Sequence, residues 1–210
     1  MSERPRYRRL GLTELAAVIG EPEQAARTKK RADLGLAARR YIAHSPFVCL
    51  ATTSAEGADC SPRGDEPGFV RVLSSSMLAL PDRTGNNLAD SFRNLAADPR
   101  IGLLFFVPGL TETLRVNGHG YVTDDPAVLC RFEEGPRPVE LALIVEVAEA
   151  YFHCGKAVIR SELWSPDLDA AAAVAPGTNV FALDNAERPH TSLSSAEIHT
   201  LLAEGYQQEL

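Results

Sequence analysis

The sequence predicts a mainly β protein with added helices, an antiparallel barrel with the helices packed on it. Three observations carry that expectation. Behind Pro46, short runs of strand character follow one another closely. The stretch Thr113–Thr123 alternates, with Leu114, Val116 and Val122 on one face and Thr113, Arg115, Asn117, His119 and Tyr121 on the other. VELALIVEVAEAYFH at 139–153 reads as one long strand. Strands outnumber helices and lie near one another in sequence, which favours antiparallel pairing.

The elements follow in order. Residues 12–19 and about 23–44 read as N-terminal helices, the second on the apolar spacing of LGLAARRYIAH, and Pro46 ends the pattern. FVCLATT (47–53) is a strand, Glu56-Gly57 a turn and Ala58–Ser61 a second strand. Short strands are expected near Gly68–Val72 and Met77–Leu80, then a helix over Asn87–Ala97 stopped by Asp98-Pro99. IGLLFFV (101–107) is a continuous apolar run bounded by proline, the pattern of a strand buried on both faces. A short helix near 126–134 precedes the long strand. Residues 165–195, rich in Pro, Ala and Asn, read as loop before a last helix near Ser194–Gly205.

Composition narrows the function classes. A chain of 210 residues is most simply one domain and buries about 70% of its unfolded surface. No apolar run approaches the roughly 20 residues that cross a bilayer, so no membrane partner is expected. The basic N-terminus is followed by a short apolar stretch interrupted by Glu14, a poor signal peptide, and a cytoplasmic location is the expectation. A net charge of −7 argues against a nucleic-acid partner. Among 18 arginines stand three lysines, Lys29, Lys30 and Lys156, so Lys156 is isolated in the later chain. Cys49, Cys60, Cys130 and Cys154 form no CxxC pair and the five histidines are scattered, so no metal site is expected.

Four stretches have the residues for chemistry. In PDRTGNNLADSFRNL (81–95) a strand ends, a polar turn with Gly85 follows and a helix opens near Asn87. Backbone N–H groups at such a helix start suit a phosphate, Arg83 offers a bidentate guanidinium and Asn86 a cap. An ordinary capped connection has the same residues, and Asp90 in the first turn would repel a phosphate. In CSPRGDEPGFVRVL (60–73), prolines and glycines make a rigid connection with Arg63 and Asp65 at its tip, the placement of solvated turn charges too. In TETLRVNGHGY (111–121), Arg115, Asn117 and His119 share one strand face, which solvent, a barrel rim or a dimer interface would accept. In YFHCGKAVIRSELW (151–164), His153, Cys154, Lys156, Arg160 and Trp164 crowd a strand-to-helix junction, the last three at i, i+4 and i+8 along one helix face. Cys154 beside His153 is not a nucleophile pair, because adjacent strand residues point to opposite faces.

Taken in order, SPRGDEPGFV, LALPDRTGNN-x-x-DS-x-x-N, DPRIGLLFFVPG-x-x-ETLRVNG and HCGKAVIRS-x-LW resemble the consecutive motifs of a bacterial subfamily of the pyridoxamine 5′-phosphate oxidase class. The resemblance covers about Tyr41–Trp164 strongly and the N-terminal helices loosely. It implies a six-stranded antiparallel split barrel of Greek-key type with flanking helices, homodimeric, with FMN in a groove between subunits. It implies helices at 1–44 packed on the barrel, a core at 45–164 and a C-terminal loop and helix at 165–210, together one structural domain. Arg83, Gly85, Asn86, Asn87 and Ser91 become candidates for the FMN phosphate, and Arg63 and Asp65 for contacts near the flavin. Arg115 and Asn117 stand on a strand that reaches the cofactor from the partner subunit, with His153, Lys156, Arg160 and Ser161 as the remaining candidates.

The activity so implied is flavin-dependent oxidation or reduction of a small molecule, with NAD(P)H a candidate co-substrate. A cation near N1 and O2 of the flavin would stabilise its reduced form, and Arg63, Arg115 and Lys156 are available. No catalytic residue is singled out. Two departures matter. Leu88 stands where subfamily members often carry a basic residue, and the C-terminal segment lacks the arginine-rich ending of true pyridoxamine phosphate oxidases, so vitamin B6 oxidation is not the expected main activity. A flavin-carrying sensory module without turnover, a related barrel holding heme or the deazaflavin F420, and a cofactor-free structural dimer are the rival readings.

Overall fold

The computed structural model describes residues 7–83, 88–133 and 138–165, with isolated residues between 173 and 204. Among them are helices α1 (Leu12–Ile19), α2 (Gln24–Thr28) and α3 (Leu36–Ala43), then strands β1 (Phe47–Ser54), β2 (Gly57–Gly64), β3 (Arg71–Ser74) and β4 (Met77–Pro81). Helix α4 (Asp90–Ala97), strands β5 (Arg100–Phe106) and β6 (Thr113–Thr123), helix α5 (Pro126–Leu129), strand β7 (Ala142–His153) and helix α6 (Lys156–Arg160) complete the order. The strands form one antiparallel sheet in the order β2-β1-β5-β6-β7-β4-β3, seven strands where six were expected, curled but not closed.

Alternation sets the core. Val48 and Leu50 of β1, Ile101, Leu103 and Phe105 of β5, and Leu114 and Val116 of β6 all point to one face, where α3 and α4 add Ala38, Tyr41, Ile42 and Leu95. Tyr41 closes that face with its hydroxyl, which donates to the Glu112 carbonyl (2.7 Å) and accepts from the Val107 N–H (3.1 Å). Strand β7 is buried on both faces at its start, because Phe132 covers Ala142 and Ile144 from the other side.

Four expectations are corrected. The helix expected over 23–44 is two helices. Arg31 exchanges both backbone hydrogen bonds with Ala150 of β7 (3.1 and 2.7 Å), and a residue paired that way cannot continue a helix. The helix expected from Asn87 begins at Asp90, because Ala89 takes a left-handed conformation with φ of 52°. The strand expected to end at Ser61 runs to Gly64, and Pro62 is tolerated there because β2 is an edge strand. The apolar run of β5 is buried on one face alone. Leu104 and Phe106 stay half-exposed on the other, with Phe47 of β1 and Trp164 beside them.

Most of the 165–195 loop lies outside the described residues, whereas the described part of the last expected helix, residues 196–198, 200, 201, 203 and 204, is helical, with the Ile198 N–H donating to the Ser194 carbonyl at 3.1 Å. Helix α1 has the expected bounds and no buried residue.

Candidate functional site

The site residues fall into two groups on opposite faces of the sheet. Register decides this. Arg63 stands opposite Val48 and Ser61 opposite Leu50, so both point to the core face, but at the open edge of the sheet. There Asp59, Ser61, Arg63, Asp82, Arg83, Leu88, Ala89, Asp90, Ser91 and Phe92 enclose a cavity of about 420 Å³ between β2, the end of β4 and the start of α4.

Its polar groups are linked. Arg83 Nε donates to Asp65 Oδ2 at 2.6 Å, joining the segments that follow β4 and β2. The Ser61 and Ser91 hydroxyls meet at 3.0 Å, and Ser91 donates to Asp59 Oδ2 at 3.2 Å. The Arg63 guanidinium lies over the Phe92 ring, 5.8 Å from its centroid. Burial pushes the Asp82 carboxyl above its usual range, and nearby Arg63 opposes that push. Arg63 is therefore a wall of the cavity and Asp65 the ion-pair partner of its Arg83, not charges at the tip of a solvated turn. Gly85, Asn86 and Asn87, expected at the phosphate, lie outside the described residues.

The second group stands on the outer face of β6 and β7. Arg115 pairs in register with Tyr151, Asn117 with Glu149 and Thr113 with His153. Arg115 donates to the Tyr151 hydroxyl (3.2 Å) and Asn117 to Glu149 (2.7 Å), whose other oxygen receives Lys30 at 2.9 Å. Hydrogen bonds from Lys30 and then Asn117 hold the Glu149 carboxyl below its usual range. Lys29, Lys30 and Arg115 all lie 5.0–5.7 Å from the Tyr151 ring centroid.

His153 packs on Tyr151 at 5.1 Å, and its Nε2 is buried with no partner among the described residues. Burial, reinforced by Arg115 and Lys29, lowers its pKa. The folded chain therefore binds fewer protons than the unfolded one, so this stability is complete above the ordinary histidine value near 6.5 and is lost as pH falls through the lowered one. His153→Gln is expected to flatten the decline of the melting temperature between about pH 7.5 and 5. An unchanged acid slope in the variant would refute the assignment.

Helix α6 is shorter than expected. Leu163 N–H returns to the Val158 carbonyl (3.2 Å) and Glu162 N–H to that of Ile159 (3.2 Å), with Glu162 left-handed at φ of 49°. Trp164 is thus turned off the face of Lys156 and Arg160, and its indole N–H donates to Leu110 (2.6 Å). Lys156, Arg160 and Ser161 are exposed at that end of the sheet.

Three inter-strand steps separate β2 from β6, about 14 Å. One chain therefore does not bring Arg63 and Arg115 to one ligand atom. Sequence reasoning missed Asp59, Ser61 and Asp82 in the cavity, and Lys29, Lys30, Glu149 and Tyr151 in the patch. The signal for Ser61 was present, since it shares with Arg63 the period of two that a strand running through Pro62 imposes. Among the described residues no helix is long and apolar enough to cross a membrane, and no cluster of His, Cys, Asp and Glu suits a metal ion.

A family described as pyridoxamine 5′-phosphate oxidase matches residues 35–154, more than half of the 210-residue chain. No curated protein matches. Among solved structures, the chain is similar to a point variant of HupZ from Group A Streptococcus, with 13% identity over 57% of this chain and 99% of that one and a TM-score of 0.48. It is also similar to a pyridoxamine 5′-phosphate oxidase candidate from Lactobacillus delbrueckii (22% identity, 59% and 99% covered, TM-score 0.47). An FMN-binding protein from Syntrophomonas wolfei is a third (12%, 55% and 82%, TM-score 0.42). At such TM-scores these likenesses carry no weight, and the family rests on the sequence match.

Proposed function

This chain belongs to the pyridoxamine 5′-phosphate oxidase family, and on that premise we propose that it binds FMN between two copies of itself and serves as a flavin-dependent oxidoreductase for a small molecule. The observation that supports this is the cavity where Arg63, Arg83, Ser61 and Ser91 come together. Two guanidiniums and two hydroxyls suit a phosphate monoester, since each offers N–H or O–H donors and the arginines add charge. The donor set fits FMN.

Within one chain, Arg63, Arg83, Ser61 and Ser91 would hold the phosphate end, with Gly85, Asn86 and Asn87 following in sequence. Phe92 keeps the Arg63 guanidinium in place by stacking, and Asp65 does so for Arg83 by its ion pair. Arg115, Asn117, His153, Lys156, Arg160 and Ser161 belong to the other end of the ligand and come from the second copy. FMN, when bound, supplies the hydride chemistry, at its N5. A positive residue beside the flavin favours the reduced anion, the role for which Arg115 and Lys156 are candidates.

The absorption spectrum of freshly purified or FMN-loaded protein tests the cofactor. A flavin spectrum with released FMN identified by mass, bleached anaerobically by NADPH or NADH, is expected. A heme band, a deazaflavin mass or failure to take up FMN would overturn the reading.

The pairing of two copies is supported by the open face of β1 and β5, where Phe47 and Trp164 are each 38% exposed with Phe106 between them. Burying such an aromatic strip is favourable, whereas a charge in it is not. Phe106→Asp is expected to give a monomer by sedimentation and to lose FMN, while a dimer that persists would place the contact elsewhere.

A further inference from the structure

We propose that Asp65 is a specificity-determining residue of the cavity, a carboxylate that competes with the ligand's phosphate for Arg83 and makes the flavin an exchangeable guest rather than a fixture. This rests on the FMN reading above. The cavity is short of positive charge. Among the described residues two guanidiniums, Arg63 and Arg83, face four carboxylates, because Asp59, Asp82 and Asp90 line the cavity and Asp65 pairs with Arg83. The residues that follow Arg83 in sequence, Thr84, Gly85, Asn86 and Asn87, carry no charge to redress the balance.

Asp65 is the carboxylate that matters most. It contacts Arg83 directly at 2.6 Å, with side-chain exposures of only 28% for Arg83 and 15% for Asp65. Its second oxygen accepts the Glu66 N–H at 2.8 Å, which fixes the carboxylate in place. A phosphate monoester brings roughly −1.5 to −2 charges at neutral pH. Reaching Arg83, it meets a cation already neutralised and a carboxylate within contact distance of it. In a partly buried cleft such repulsion is screened far less than in bulk water. The phosphate therefore adds less affinity in the natural protein than it would if position 65 were neutral. Asp82 adds a further carboxyl to the wall of the same cavity.

Calorimetric titration with FMN and with riboflavin tests this in the full chain and its variants. Asp65→Asn is expected to bind FMN about tenfold more tightly and riboflavin within twofold of the parent. Asp59→Asn removes a charge from the same cavity without touching Arg83, and its gain is expected to be smaller. Asp65→Ser keeps a small acceptor for the Glu66 N–H and gives the same selective gain, so the test survives a poorly folded asparagine variant. FMN binding that is unchanged or weaker in folded variants, or a gain shared equally by riboflavin, overturns the role of Asp65 and leaves the FMN reading intact. Failure of the parent and every variant to bind either flavin sinks both.

Discussion

Arg83→Ala is expected to weaken FMN binding about 100-fold while changing riboflavin binding less than threefold. The two flavins share ring and ribityl chain and differ in the phosphate, so the ratio isolates the anion contact. Removing the side chain withdraws one of two guanidiniums from the cavity and strips Asp65 of its counter-ion. An uncompensated, largely buried carboxylate then faces the incoming phosphate. Truncating one partner of such a pair costs about 2–5 kcal/mol, the range that a 100-fold loss occupies. Arg63 supports the phosphate from β2 but is held by Phe92 rather than by a carboxylate, so Arg63→Ala should cost less. Equal losses of FMN and riboflavin in Arg83→Ala would move the phosphate away from this cavity.

Gly118→Ala is expected to destabilise the fold by about 4 kcal/mol or more, lowering the melting temperature by roughly 8–16 °C. The reason is not a left-handed backbone but a close approach. The pairing of β6 with β7 shifts register between Asn117 and Gly118, since Asn117 faces Glu149 while Gly118 faces Val147, leaving Ala148 as the extra residue. At that bulge a Cβ on residue 118 would sit 2.0 Å from the Glu146 carbonyl oxygen and 3.2 Å from the Ala148 nitrogen. No rotamer relieves a contact between a Cβ and backbone, so the two central strands must part. The shift would reach Asn117 and Glu149, whose 2.7 Å hydrogen bond lies next to the bulge. A variant melting within 2 °C of the parent would show that the bulge is absent in solution.

Much of the fold was legible in the sequence because periodicity reports which face of a strand is buried. Alternation at Thr113–Thr123 placed Leu114 and Val116 in the core and Arg115 and Asn117 outside, where the structure has them. Strand β7 was legible from its length, and helix α1 has the bounds expected of it. What misled was local chemistry that a distant partner overrides. Residues 23–44 carry helical spacing, but the pairing of Arg31 with Ala150, more than a hundred residues away, breaks the helix. IGLLFFV is apolar throughout, which describes a strand covered on both faces by whatever covers it, and one chain covers only one.

The candidate site divides along the same line. The sequence by itself determined the family motifs, the residue types that a phosphate needs and the order in which they arrive, because those are properties of short segments. Only the tertiary structure decided that Arg63 points to the core side of the sheet and Arg115 to the other, three strands away. It alone set Asp65 against Arg83, 18 residues later, and drew Ser61 to Ser91. The physical reason is that a side chain's direction follows from local backbone geometry, whereas its neighbours follow from strand order and register. Those are fixed by burying the whole apolar face at once, and no single segment encodes them.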